Sequence, residues 1–314
     1  MSAVIDSGPP AQPAGFWRRI GAFVLDGLII GLVGLALAFT VFEQLAHLGV
    51  WGRLFGFVLA LAYFGVSNSE LTGGRSLGKR ALGIKVVDKD GAPLSVGTSF
   101  LRYVPLAIPW FLKGAPFPAS VLFSFWLYLL SIAVFGAGLS LLYLFIFNRP
   151  YRQSLHDLLV GSFVVRSHAI GAVSAAAPWR GHLAVCGLLF LASAAVPVFA
   201  SRFAEGETFG PLLKVYSAVS SEPWVSHVEV HRSFNLSGKN QAHYLSIVAH
   251  IRDPAVHDAE RALRLARLAV EAHEFVRELN VVQITLVHGF DIGIASSWRS
   301  HTHSFAPREL AAAP

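Results

Sequence analysis

The sequence predicts an α-helical polytopic membrane bundle of about five transmembrane helices, followed by a small α+β domain. Three observations carry that expectation. Hydrophobic residues make up 54% of the 314-residue chain, charged residues 14%, and mean hydropathy is +0.55, whereas a soluble domain carries about a quarter of its residues as charges. Several uncharged runs approach the roughly 20 residues a helix needs to cross a hydrocarbon core. After about residue 200 the runs stop, and apolar residues begin to alternate with polar ones.

Residues 1–14 carry Pro9, Pro10 and Pro13 without a cationic start, so they read as a disordered lead and not as a signal peptide. Gly15-Phe16-Trp17-Arg18-Arg19 then opens an apolar segment from Ile20 to Ala46 that holds Asp26. A carboxyl at that depth costs about 2.5 to 3.5 kcal/mol to insert, so it needs a partner. Arg19 lies two helical turns earlier on the same stripe, about 10 Å away along the axis. That is too far for an easy direct bond, and each group is expected to find its partner on another helix.

The second run, Trp51–Val66, contains Arg53 near its start, and that side chain is expected to snorkel outward. The loop 68–99 holds Arg75, Lys79, Arg80, Lys85 and Lys89, a density that marks it as cytoplasmic. Ile84–Val87 before Asp90-Gly91 suggests a short hairpin inside the loop, and Ser95 is placed to cap the following helix. Phe100–Leu112 is interrupted by Pro105 and Pro109; it either crosses or lies in the interface. Gly114–Pro118 reads as a turn, and Ala119–Phe147 is long enough to span with tilt. Arg149 and Arg152 follow at once. A linker over 167–182 leads to a last uncharged run over 183–200.

If Phe100–Leu112 crosses, every cationic cluster falls on one side, as cytoplasmic loops require. The N-terminus is then inside, and residues 201–314 are extracytoplasmic. The net charge of +6 fits this reading: residues 1–180 hold 14 Lys and Arg against 7 Asp and Glu, whereas residues 201–314 hold 11 against 12. The basic excess belongs to the membrane half, so the partner it implies is a lipid bilayer and not nucleic acid. The single cysteine, Cys186, lies in an apolar run, which leaves no disulfide framework and no thiolate metal site.

The tail reads as helices on one face of an antiparallel sheet. A helix from about Thr208 to Ser220 precedes strands at Trp224–Phe234 and Tyr244–Ile251, joined by a Ser237-Gly238 turn. An amphipathic helix is expected from Pro254 to about Leu279, then strands at Val282–Leu286 and Ala295–Phe305. Most of the chain's 13 histidines fall here. His301 and His303 share a strand face and are weak metal candidates; without a carboxylate at ligand spacing, no metal or other cofactor is expected.

Three blocks together resemble the RDD family of bacterial membrane proteins: Gly15-Phe16-Trp17-Arg18-Arg19 leading to Asp26, Gly74-Arg75-Ser76-Leu77-Gly78-Lys79-Arg80, and Ser154-Leu155-His156-Asp157. The likeness covers about residues 15–166. It implies that Arg19, Asp26 and Asp157 are the signature residues, that the chain sits in the inner membrane, and that movement of ions or small solutes is the usual suggestion for its role. Gly73–Lys79 also fits phosphate-loop spacing, but Arg80 stands where a metal-binding Ser or Thr belongs. A basic bend facing lipid phosphates is the better reading of Arg75, Lys79 and Arg80.

Arg19, Asp26 and Asp157 admit two readings. One is an ion relay whose carboxylate changes charge as an ion passes, with His156 tuning it near neutral pH and a homo-oligomer supplying further groups. The other is a clasp in which Asp157 neutralises Arg19 or Arg80 and the charges specify an arrangement. No nucleophile or paired-carboxylate constellation points to an enzyme. The function expected is therefore transport or gating around Asp26, or alternatively a membrane-anchored sensor or assembly module whose tail binds a protein or small ligand.

Overall fold

A computed structural model describes residues 11–114, 124–149, 151–174, 177–204, 206, 209–235 and 242–312. Helix α1 (Phe16–Thr40) turns one narrow stripe inward, Arg19, Ala22, Asp26, Ile30 and Gly34, at the three- and four-residue spacing of one helix face. Phe23, Leu28, Leu32 and Phe39 point out, as lipid-facing residues do. The helix ends at Thr40, short of the expected Ala46. Val41 breaks it, and α2 (Phe42–Leu48) turns Leu45 against Phe290 and Ile292 of the tail.

Helix α3 (Gly52–Ser67) packs with Gly52, Gly56, Ala60 and Phe64 inward, small residues at four-residue spacing that let backbones approach closely. The short α4 (Leu77–Ala81) lies against α1. Strand β1 (Ile84–Val87) follows. Its partner is β2 (Phe163–Arg166), antiparallel with Ile84 opposite Arg166, and not a local hairpin arm. The turn at Asp88–Ala92 does form, yet Ile84, Val86 and Val87 are fully buried and the distant apolar strand covers them. Pro13 bridges to Val165, and Ala14 donates to the Val164 carbonyl. Residues 11–14 are therefore ordered, against the expectation of a disordered lead; the rest of that lead lies outside the described residues.

Helix α5 (Val96–Leu112), capped by Ser95, contains Pro105 and Pro109 and lies along α3. Helix α6 (Phe125–Phe147) has a π turn at Ile132–Gly136. Then come α7 (Leu155–Val160) and β2, and α8 (Arg180–Ala204), which begins before the expected Leu183. Among the described residues, four helical stretches are long and apolar enough to cross a membrane: Phe16–Thr40, Phe42–Ser67, Phe125–Phe147 and Arg180–Phe199. The 17-residue α5 stands among them.

In the tail, α9 (Gly210–Ser220) precedes β3 (Val225–Asn235), β4 (Ala242–Ile251), α10 (Ala259–Ala272), β5 (Val281–Asp291), β6 (Ser296–Phe305) and α11 (Pro307–Ala312). The sheet order is β3-β4-β5-β6, and the central pair is parallel, which corrects the antiparallel expectation. The connection from β4 to β5 passes through α10, and such a crossover returns the chain in the same direction. Asp258, not Pro254, starts that helix by accepting from the Arg261 amide. Leu245, Ile247, Ile284 and Leu286 form a dry core with Leu265 and Ala266. The expected Ser237-Gly238 turn and most of Gly114–Pro118 lie outside the described residues.

The tail does not stand apart from the bundle. The tip between β5 and β6, Ile292–Ala295, sits among the ends of α1, α3 and α5. A side chain at Gly56 would overlap the Ile292 carbonyl, and one at Gly34 would meet Ala295. Trp110 donates to the Gly293 carbonyl at 2.9 Å. Arg53, instead of snorkelling, grips Asp291 with Nε at 3.1 Å and also donates to the α5 carbonyls of Trp110 and Phe111.

Candidate functional site

The three signature residues fall into two separate clasps, Arg19 and Asp157 by the N-terminal end of α1 and Asp26 near the middle of that helix. In the first, Asp157 accepts from Arg19 Nη2 at 3.0 Å on one oxygen, and from Arg102 Nε at 3.0 Å and Nη2 at 2.6 Å on the other. Ser162 adds a hydroxyl at 3.0 Å. All four side chains are buried. The pair expected for Asp157 is thus made with Arg19 but not with Arg80, whose side chain is exposed.

Arg19 completes its fork on the backbone, donating to the Tyr151 carbonyl at 2.9 Å and the Arg152 carbonyl at 2.7 Å. Arg152 is the non-glycine residue among those described with positive φ, at 50°. Such a conformation costs energy and persists only where surroundings impose it. Here it is the bend that turns two carbonyls toward Arg19.

Burial would raise the Asp157 carboxyl, but the Arg102 and Arg19 guanidiniums override it and hold it well below the usual carboxylate range. It stays an anion. His156 Nε2 lies 3.2 Å from Arg102 Nη2. A guanidinium only donates, so this ring nitrogen accepts and the imidazole is neutral. Consistently, burial, reinforced by Arg102, Arg19 and Lys79, pushes His156 down to about 3. The expectation that His156 tunes the site near neutral pH is therefore overturned.

The second clasp surrounds Asp26, which is fully buried. Ser76 and Tyr63 donate hydroxyls to it, the latter at 2.8 Å, and the Gly78 amide donates at 2.8 Å. Lys79 Nζ approaches to 3.9 Å. Gly78 is needed for this contact, because a Cβ there would overlap the Ala22 carbonyl. The bend Gly73–Arg80 therefore spends its amide and hydroxyl on a carboxylate of α1. Arg75 and Arg80 are exposed, but Lys79, only 13% exposed, faces Asp26 and not lipid. Burial, with Arg102 next, pushes its amine down to about 7, Asp26 opposing.

Arg102, Tyr63 and Ser76 were not singled out by sequence. Arg102 carried a signal all the same: a lone cation just inside an apolar run needs a buried anion, as Asp26 needed a donor. In the tail, His301 and His303 rings lie 4.6 Å apart, and His257 lies 4.4 Å from His301. Among the described residues no three His, Cys, Asp or Glu side chains converge on a point that a metal ion would occupy.

Comparison with known proteins agrees with the signature blocks. The model of the RDD family matches residues 13–161. The chain is 28% identical over 153 residues to the uncharacterized protein YckC of Bacillus subtilis (strain 168), covering 49% of this chain and 84% of that protein. It is 29% identical over 115 residues to the uncharacterized protein YxaI of the same organism, covering 29% of this chain and 74% of that one. No solved structure matches at a significant level.

Proposed function

We propose, taking as premise the match of residues 13–161 to the RDD family, that this protein is an inner-membrane sensor whose extracytoplasmic tail is mechanically joined to the polar clasps. One observation carries the reading. Helices α1 and α5 each touch the tail tip, through Gly34 and Trp110, and hold a clasp further along the same helix, through Arg19 and Asp26 and through Arg102. A displacement of the tip therefore acts on the same two rods that fix the charges. Such coupling needs an element with two arrangements that both ends bias. The docked tip is one of them.

In this reading α5 is a fifth crossing, the N-terminus is cytoplasmic, and the tail receives a signal outside. A reporter active only outside the cytoplasm, fused after Pro314, is expected to be active. The coupling itself is tested by Gly56→Leu, which removes the space under Ile292. In lipid nanodiscs, amide exchange is expected to rise at Asp291–Ala295 and also at Leu155–Val160. A freed tip with unchanged Leu155–Val160 would sink the sensor reading.

A second reading is favoured by Lys79, whose amine titrates near neutrality beside Asp26. The pair then acts as a proton or cation relay. It requires that Asp26→Asn abolish flux while the protein still inserts; unchanged flux rules it out.

A further inference from the structure

We propose that His288, Glu43 and Arg299 form a pH-sensitive latch that sets how firmly the tail sits on the bundle. The proposal rests on the tail being a receiver and names its stimulus as proton concentration.

His288 on β5 is 1% exposed. Its Nδ1 lies 3.2 Å from the Ile251 carbonyl oxygen, and its Nε2 lies 3.1 Å from Oε2 of Glu43 on α2. Both partners are acceptors only. A neutral imidazole has one N–H, so it satisfies one of them and turns a lone pair toward the other; only the imidazolium donates to both. The docked arrangement therefore offers an acceptor to both N–H groups of an imidazolium, whereas the single N–H of a neutral ring takes up only one of them.

The second carboxylate oxygen of Glu43 accepts from Arg299 Nη1 at 3.2 Å. Arg299 is the register partner of His288 on β6, so the sheet presents two adjacent cations to one carboxylate of the membrane half. Phe42, beside Glu43, stacks under the Arg299 guanidinium at 4.3 Å and meets the His288 ring edge-on at 6.0 Å. The other charged groups acting here are His47 on α2, which also faces Glu43, and Asp253 after β4, which faces His288 and is paired with Arg261 at 2.7 Å.

The sign follows from linkage. Docking supplies the acceptor for the second N–H, a contact that only the protonated ring completes. Acid is therefore expected to support docking and rising pH to weaken it, by up to tenfold per pH unit for one proton. Histidine is the side chain whose ordinary titration lies in this range.

The test uses the full chain in nanodiscs from about pH 5 to 8, with ¹⁵N shifts of the His288 ring and amide-exchange protection factors at Asp291–Ala295. The expected result is an imidazolium at the acid end and tip protection that falls several-fold as it deprotonates. Glu43→Ala is expected to flatten that dependence while the Leu245 and Ile247 amides keep their protection, since Glu43 lies outside the tail core. A ring that is neutral throughout, or tip protection that does not change with pH, overturns the latch. A pH-dependent tip with an unresponsive Leu155–Val160 upholds the latch and removes the sensor reading alone.

Discussion

The membrane half and the tail are built on opposite plans. The bundle buries Arg19, Asp26, Arg102 and Asp157 and turns Phe23, Leu28, Leu32 and Phe39 outward, whereas the tail buries Leu245, Ile247, Ile284 and Leu286. In water, apolar burial drives the tail together and tells its strands which face is inside. In lipid, apolar side chains gain little by meeting one another, so arrangement is carried by close backbone packing and polar contacts. The difference shows in what each half cannot lose: the tail needs its aliphatic core, and the bundle needs its charges paired.

That contrast is broken most directly at Asp157. Asp157→Ala leaves Arg19 and Arg102 buried without their counter-charge, and removing one partner of such a group costs about 3–5 kcal/mol. The expected outcome is a bundle that loses its resistance to denaturing detergent while the tail sheet keeps its amide protection. A loss under about 1 kcal/mol, or one shared equally by the tail, would mean that the clasp does not organise the membrane half.

The two halves were also legible to different degrees. Period-two alternation placed β3 and β4 and their buried faces, because one face meets helices and the other meets solvent. It did not give the parallel β4-β5 pair, since strand direction is decided by the path through α10 and not by the pattern within a strand. In the bundle, the signature blocks named Arg19, Asp26 and Asp157, and the cost of charge in lipid required partners for them. Which partners was not legible: Arg102 is 55 residues from Asp157, and Ser76 is 50 from Asp26. The docked tip left even less trace. Gly52 and Gly56 read as ordinary residues of a span, and Arg53 as a snorkelling cation, until Asp291 and Ile292 occupy the space against them.

Lys79 sharpens the contrast with a smaller effect, because it is the clasp cation whose charge is not secured at neutral pH. Its amine is pushed to about 7 in the folded protein, against an ordinary value of 10.5. Between those values the unfolded chain binds more protons than the folded one, so stability rises with pH, by up to about 1.4 kcal/mol per unit for one group. Below about pH 7 both states are protonated and the slope from Lys79 vanishes. From pH 7 to 8.5 the bundle is expected to gain about 1–2 kcal/mol, measured as the shift in its unfolding midpoint in mixed micelles. Lys79→Gln keeps the chain length and removes the titration, so it is expected to abolish that gain and leave the tail unaffected. If the slope persists in Lys79→Gln, the amine beside Asp26 is not its source, and the charge held at that clasp does not change near neutrality.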